Sequence, residues 1–201
     1  MSFAIPNTLT FSRILLTPFF AYYFLQGTHN HRLTATVIFF IAAFTDWLDG
    51  YLARRLGYST RTGQFLDPVA DKILVSTALA ILAYTNYIYL WMVIIIIVRD
   101  VLLTALRIYA MQHGKVIITS SFAKWKTFFQ MGFLFAVMIY LNFPALPDIE
   151  LSYTLQDYLM WPTISAAVVT LLTIASGIHY LIYNRSHLIE IFRRLTKRWF
   201  H

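Results

Sequence analysis

Four aspartates within 26 residues, Asp46, Asp49, Asp67 and Asp71, are the densest concentration of reactive groups in the chain. Asp46 and Asp49 stand three apart; at about 100° per residue they share a helix face, to which Ala53 returns. Asp67 and Asp71 stand four apart and share a face in the same way. Gly57-Tyr58-Ser59-Thr60-Arg61-Thr62-Gly63 separates the pairs and is short enough to make the two helices antiparallel neighbours. Pro68 suits a first helical turn, where its missing N–H costs nothing. All four carboxylates can then meet at one site. Acids at membrane depth need compensation, since insertion scales put one such charge at about 2.5–3.5 kcal/mol. Divalent metal is the simplest answer, and oxygen-only donors without His or Cys favour Mg2+ or Mn2+ over Zn2+. Gly50 and Gly63 allow close approach of backbone or ligand, and Arg54 suits a phosphate. The plainer alternative pairs the acids with Arg54, Arg55, Arg61 and Lys72 at a membrane surface.

The elements that must position these residues are apolar. Of 201 residues, 59% are hydrophobic and only 12% charged, about half the usual globular share. Mean hydropathy is +0.62. These values argue against a soluble enzyme and a disordered chain. With no cysteine, disulfides, thiolate metal sites and cysteine nucleophiles are excluded. The net charge of +7 on so apolar a chain points to anionic lipid or an anionic substrate, with no nucleic acid partner expected.

A membrane-spanning helix needs roughly 20 mostly apolar residues. Six stretches qualify, at about 9–26, 33–54, 68–85, 88–110, 123–142 and 160–183, predicting an all-α integral membrane protein. Gly27-Thr28-His29-Asn30, the 57–63 segment, Thr85-Asn86, His113-Gly114 and Pro144 through Asp148 punctuate them. Arg54, Arg55, Arg61, Lys115, Lys124, Lys126 and the basic tail all fall on one side if both termini are cytoplasmic. The acid pairs lie on that same face. No internal repeat is evident, and Met1 through Pro6 carries no sign of a cleaved signal peptide. Residues 1–184 are expected to form one catalytic unit. Residues 185–201 read as a basic amphipathic tail lying on anionic lipid, with Leu188, Ile191, Phe192, Leu195 and Trp199 at helical spacing.

The string Asp46-x2-Asp49-Gly50-x2-Ala53-Arg54-x8-Gly63-x3-Asp67-x3-Asp71 resembles, without a gap, the signature of the CDP-alcohol phosphotransferases. That resemblance implies a six-helix membrane fold, usually dimeric, that cleaves a CDP-linked donor and releases CMP. It implies that Asp46, Asp49 and Asp67 bind two divalent metal ions. Asp71 would help ligate one of them and act as general base. Gly50, Ala53, Arg54 and Gly63 would border the CDP moiety. Ile5-Pro6-Asn7-x-Leu9-Thr10-x2-Arg13 is similar to the start of the bacterial branch that uses glycerol 3-phosphate. Leu66 through Lys72, and Lys124-Trp125-Lys126-Thr127 followed by Gln130, are similar to that branch too. Its pattern brings Asn7 and Thr10 towards the nucleotide, although either residue could equally cap the first helix.

Arg99 follows the uninterrupted Ile94-Ile95-Ile96-Ile97-Val98, where a free guanidinium is unfavourable. Arg107 is about two turns further on and faces roughly the same way. With Lys124 and Lys126 they could form a cationic pocket for an acceptor phosphate. Alternatively Arg99 pairs with Asp100 while Arg107 and the lysines snorkel to the surface. The expected reaction joins CDP-diacylglycerol to glycerol 3-phosphate at the inner membrane of a bacterium. The rivals are a sibling enzyme using phosphatidylglycerol or inositol phosphate as acceptor, and a cation transporter using the acids as an ion path.

Overall fold

The computed structural model describes the backbone of residues 5–56, 61–112, 121–142 and 154–185. Within these, the side chains of 5–11, 46–56, 61–68, 71, 111–112, 121–123 and 154–160 fall outside the described set. Six helices account for nearly all of it: α1 (Ile5–Leu25), α2 (His29–Leu56), α3 (Arg61–Tyr84), α4 (Leu90–Gln112), α5 (Ser121–Tyr140) and α6 (Thr154–Tyr183). The number and order agree with the hydropathy reading. The tail beyond Arg185 and its expected amphipathic helix lie outside the described residues.

Boundaries differ where the first turns are polar. α3 begins at Arg61 rather than near 68, because Arg61-Thr62-Gly63-Gln64 is helical without being apolar. Pro68 therefore sits two turns inside α3, not in its first turn, and withholds a hydrogen bond from the carbonyl of Gln64. α1 already runs from Ile5, so Asn7 and Thr10 lie within the helix rather than at its cap. α6 starts at Thr154 and continues through Pro162.

Two tight turns follow the expected punctuation. Gly27 (φ 75°) closes α1, its N–H reaching Phe24 O at 3.3 Å. Asn86 (φ 61°) closes α3, and the next amide, of Tyr87, bonds Leu82 O at 2.9 Å. Asparagine tolerates this left-handed conformation better than most side chains.

α1 packs against both α2 and α3, α4 against α3 and α6, and α5 against α6. Buried residues recur at three- and four-residue spacing: Phe20 and Phe24 on α1, Ala35, Phe39 and Ala42 on α2, Ala70, Leu74, Ala78 and Leu82 on α3. The outer surface is just as apolar. Ile94, Val98, Val101 and Leu102 on α4 are exposed, as are Phe128 and Phe129 on α5 and Ile164, Leu171, Ile178 and Ile182 on α6. Meanwhile Arg13, Asp100 and Lys126 are buried. Among the described residues, Trp161–Tyr183 is long and apolar enough to cross a membrane, with mean hydropathy 1.7. α4 is as long but carries Arg99, Asp100 and Arg107.

Candidate functional site

The four aspartates lie on α2 and α3, both of which pack against α1. Asp49 lies about two turns before the end of α2 and Asp67 about as far after the start of α3. Asp46 and Asp71 each lie about 15 Å from those same ends. The expected direct pairing of α2 with α3 is not among the helix contacts of the described residues; α1 packs against both. Gly50, Ala53 and Arg54 follow Asp49 along α2, and Gly63 precedes Asp67 on α3. Asn7 and Thr10 occupy the first two turns of α1, the helix packed against both. The side chains of these ten residues lie outside the described set. Four carboxylates would supply a hard, all-oxygen donor set, a chemistry that fits Mg2+ or Mn2+.

Lys72, the residue after Asp71, connects this region to a described polar cluster. Its Nζ lies 3.5 Å from Asp100 Oδ2. Asp100 on α4 is 4% exposed and receives two further cations. Arg99 Nη1 donates to Asp100 Oδ1 at 3.0 Å. Lys126 Nζ, on α5, donates to Oδ1 at 2.6 Å and Oδ2 at 2.7 Å. Gln130, one turn on from Lys126, accepts from the same ammonium at 2.6 Å. Arg99 Nη2 donates to Ser176 Oγ on α6 at 2.9 Å. One carboxylate thus joins α3, α4 and α5, and Arg99 extends the network to α6. Among the described residues the cluster holds three cations and one acid.

The four expected acceptor-site cations are placed differently from one another. Arg99 takes the alternative role of pairing with Asp100, yet two bonds leave donors of its five to spare. Lys126 is 1% exposed and spends all three donors on Asp100 and Gln130, so it anchors the cluster instead of snorkelling. Arg107 and Lys124 are exposed. Lys124 and Lys126, two residues apart on a helix, face about 200° apart and cannot line one pocket together.

Sequence reasoning gave Arg13 no role, and the structure buries it to 1% exposure on α1. Its signal was available: Arg13 is the sole charged residue of that helix. Gln130 and Ser176 were also missed as cluster members. The four-residue interval between Lys126 and Gln130 was the one clue to the first.

The cluster makes a stability prediction. Asp100→Asn removes the charge that balances a buried ammonium, and breaking a buried pair from one side costs about 3–5 kcal/mol. Thermal unfolding in detergent should fall accordingly. The double variant Asp100→Asn/Lys126→Met should recover most of the loss, because no uncompensated charge remains at Lys126.

The CDP-alcohol phosphatidyltransferase family model matches residues 3–178. Three curated relatives carry the name CDP-diacylglycerol–glycerol-3-phosphate 3-phosphatidyltransferase. That of Haemophilus influenzae is 39% identical over 170 residues, covering 82% of this chain and 91% of the relative. That of Bacillus subtilis is 34% identical over 194 residues, covering 90% and 95%. That of Escherichia coli K12 is 42% identical over 137 residues, covering 65% and 74%.

Proposed function

The chain belongs to the CDP-alcohol phosphatidyltransferase family, and from that premise we propose that it transfers the phosphatidyl group of CDP-diacylglycerol to glycerol 3-phosphate. The products are phosphatidylglycerophosphate and CMP. The observation that carries the acceptor is the buried cluster, in which Lys72, Arg99 and Lys126 surround a single carboxylate. Arg99 keeps donors to spare there, which suits a phosphomonoester better than a cationic acceptor such as choline.

Asp46, Asp49, Asp67 and Asp71 are the residues that would hold Mg2+ or Mn2+. When bound, such ions neutralise the pyrophosphate and make CMP a competent leaving group. Gly50, Ala53, Arg54 and Gly63, with Asn7 and Thr10, border the nucleotide. Asp71 takes the proton from the acceptor hydroxyl as that oxygen attacks the β-phosphorus. A new P–O bond forms and the bond from the β-phosphorus to the CMP oxygen breaks. Arg99 and Arg107 hold the acceptor phosphate, Lys124 adds charge near the surface, and Lys126 acts through Asp100.

The apolar exterior around a charged interior supports a multi-pass location in a bacterial inner membrane. Acyl chains would remain in the bilayer while headgroups react at its cytoplasmic face. A homodimer accords with the family.

Purified protein incubated with CDP-diacylglycerol, Mg2+ and a panel of acceptors, with CMP assayed, tests this function. Release that depends on glycerol 3-phosphate is expected. Release with phosphatidylglycerol alone would move the chain to a sibling activity, and no release with any acceptor would favour an ion-path role. Arg107→Lys keeps the charge but loses the planar fork, so glycerol 3-phosphate use should weaken without disappearing. Arg107→Ala should lower kcat/KM for glycerol 3-phosphate roughly tenfold or more, with the KM for CDP-diacylglycerol unchanged.

A further inference from the structure

Two unmet polar groups lie at the other end of α2 from the aspartates. Arg32 stands in the first turn of that helix, about 21 Å along the axis from Asp46. Thr36, one turn further on, is buried. Its Oγ1 donates to Arg32 O at 2.9 Å and accepts at 2.6 Å from Nδ2 of Asn142, just past the end of α5. Asn142 Nδ2 also donates to Met138 O at 2.8 Å. A carbonyl can only accept, so that contact fixes which end of the amide is nitrogen. Asn142 Oδ1 is left buried, with no hydrogen-bond partner among the described residues. Arg32 Nε is buried and equally without a partner among them. Buried polar atoms are nearly always paired, so a donor and an acceptor orphaned within one network call for an explanation.

The surroundings narrow what would answer both. The ion pairs among the described residues do not include Arg32, so its charge is not met there. A water molecule would bridge the two atoms but leave the guanidinium's charge unanswered. A bare anion would answer the guanidinium and leave Asn142 Oδ1 without a donor. A phosphate ester that also carries a hydroxyl answers both. The flank of the site is apolar. Leu33, Val37 and Ile41 on α2 recur every four residues and are exposed, as is Ile139 on α5. Beside Thr36 the two helices stay in contact, with the Phe40 and Phe135 rings 4.6 Å apart. A hydrocarbon chain has a path along this seam, next to the guanidinium.

We propose that Arg32 and Asn142 bind the headgroup of an anionic phospholipid at the end of the bundle away from the aspartates. Phosphate oxygens accept from the Arg32 guanidinium, and a headgroup hydroxyl donates to Asn142 Oδ1. Thr36 positions both residues, and an acyl chain lies along Leu33, Val37 and Ile41. The site takes no part in the transfer reaction and does not depend on the acceptor's identity. It rests only on the bilayer location proposed above.

Native mass spectrometry of the full chain in detergent, titrated with phosphatidylglycerol, tests the assignment. Arg32 is the sole Lys or Arg in residues 26–33, 85–89 and 141–153, the connections at this end, so one substitution removes their basic charge. Arg32→Gln should weaken one phosphatidylglycerol site roughly tenfold or more, the effect of losing hydrogen bonds to a charged group. Arg32→Lys keeps the charge without the planar fork, so its affinity should fall between the two. Phosphatidylcholine, zwitterionic and without a headgroup hydroxyl, should bind wild type and variants alike. CMP release should be equal in all three proteins. Equal phosphatidylglycerol binding by wild type and both variants would overturn the site. Displacement of the lipid by inorganic phosphate at equal concentration would overturn the lipid in favour of a free anion. Loss of CMP release in a variant that still binds phosphatidylglycerol would overturn the separation from the reaction. Recovery of the chain from membranes without detergent would overturn the bilayer location, and the site with it.

Discussion

Asp71→Asn is expected to lower kcat by about 10²–10⁴-fold, the usual worth of a positioned general base, while CDP-diacylglycerol binding changes little. Asparagine keeps the size of the side chain and one oxygen able to ligate, but it cannot accept the acceptor's proton. Position supports the assignment. Asp71 on α3 is followed by Lys72, whose ammonium reaches the Asp100 cluster on α4. The same turn of α3 thus carries Asp71 and contacts the cluster of cations through Lys72. Single-turnover rates and donor binding, measured on the same preparation, separate the two roles. A parallel fall in donor affinity and turnover would make Asp71 chiefly a ligand, and the base would have to be sought elsewhere.

What could be read in the sequence follows from which signals are periodic and local. The six helices were legible because each carries a long apolar run bounded by turn residues, as at Gly27 and Asn86. The start of α3 was not, because its first turns are polar and hydropathy alone discounts them. The aspartate spacing gave the acid register directly, as three- and four-residue intervals fix a helix face without knowledge of the fold. Pairing of Arg99 with Asp100 was equally local, since the two are neighbours in sequence. The burial of Lys126 was not local. It depends on α5 delivering that face to α4, a contact between residues 26 positions apart. The inward stripe of α6 was hidden for another reason. Thr170, Thr173 and Ser176 satisfy their hydroxyls on carbonyls of their own helix, so the segment reads as simply apolar. Tyr180 was passed over among 13 tyrosines, most of which read as packing or interfacial belt residues. Its burial, and a hydroxyl without a partner among the described residues, set it apart.

Chelation is expected to abolish turnover, and Mg2+ or Mn2+ to restore it. Metal binding typically supplies several kcal/mol of stabilisation to developing phosphoryl charge, so its removal should cost more than about 10³-fold in rate. The argument comes from α2 and α3, which carry four carboxylates at three- and four-residue spacing on helices that both pack against α1. Four negative charges so placed repel one another, and divalent cations relieve that repulsion while creating a site for pyrophosphate. Asp49→Asn and Asp67→Asn each remove one charge and one strong oxygen donor. Both should be inactive at ordinary Mg2+ concentrations. Partial recovery at much higher Mg2+ would mark them as weakened ligands instead of misfolded protein. The opposite folding effect is also expected, because removing one of several repelling acids raises the thermal stability of the metal-free protein. A variant that is more stable without metal and less active with it is the signature of a ligand. Full turnover after exhaustive chelation would exclude the metal-dependent mechanism. A near-wild-type rate in either asparagine variant would leave the mechanism standing but remove that residue from the ligand set.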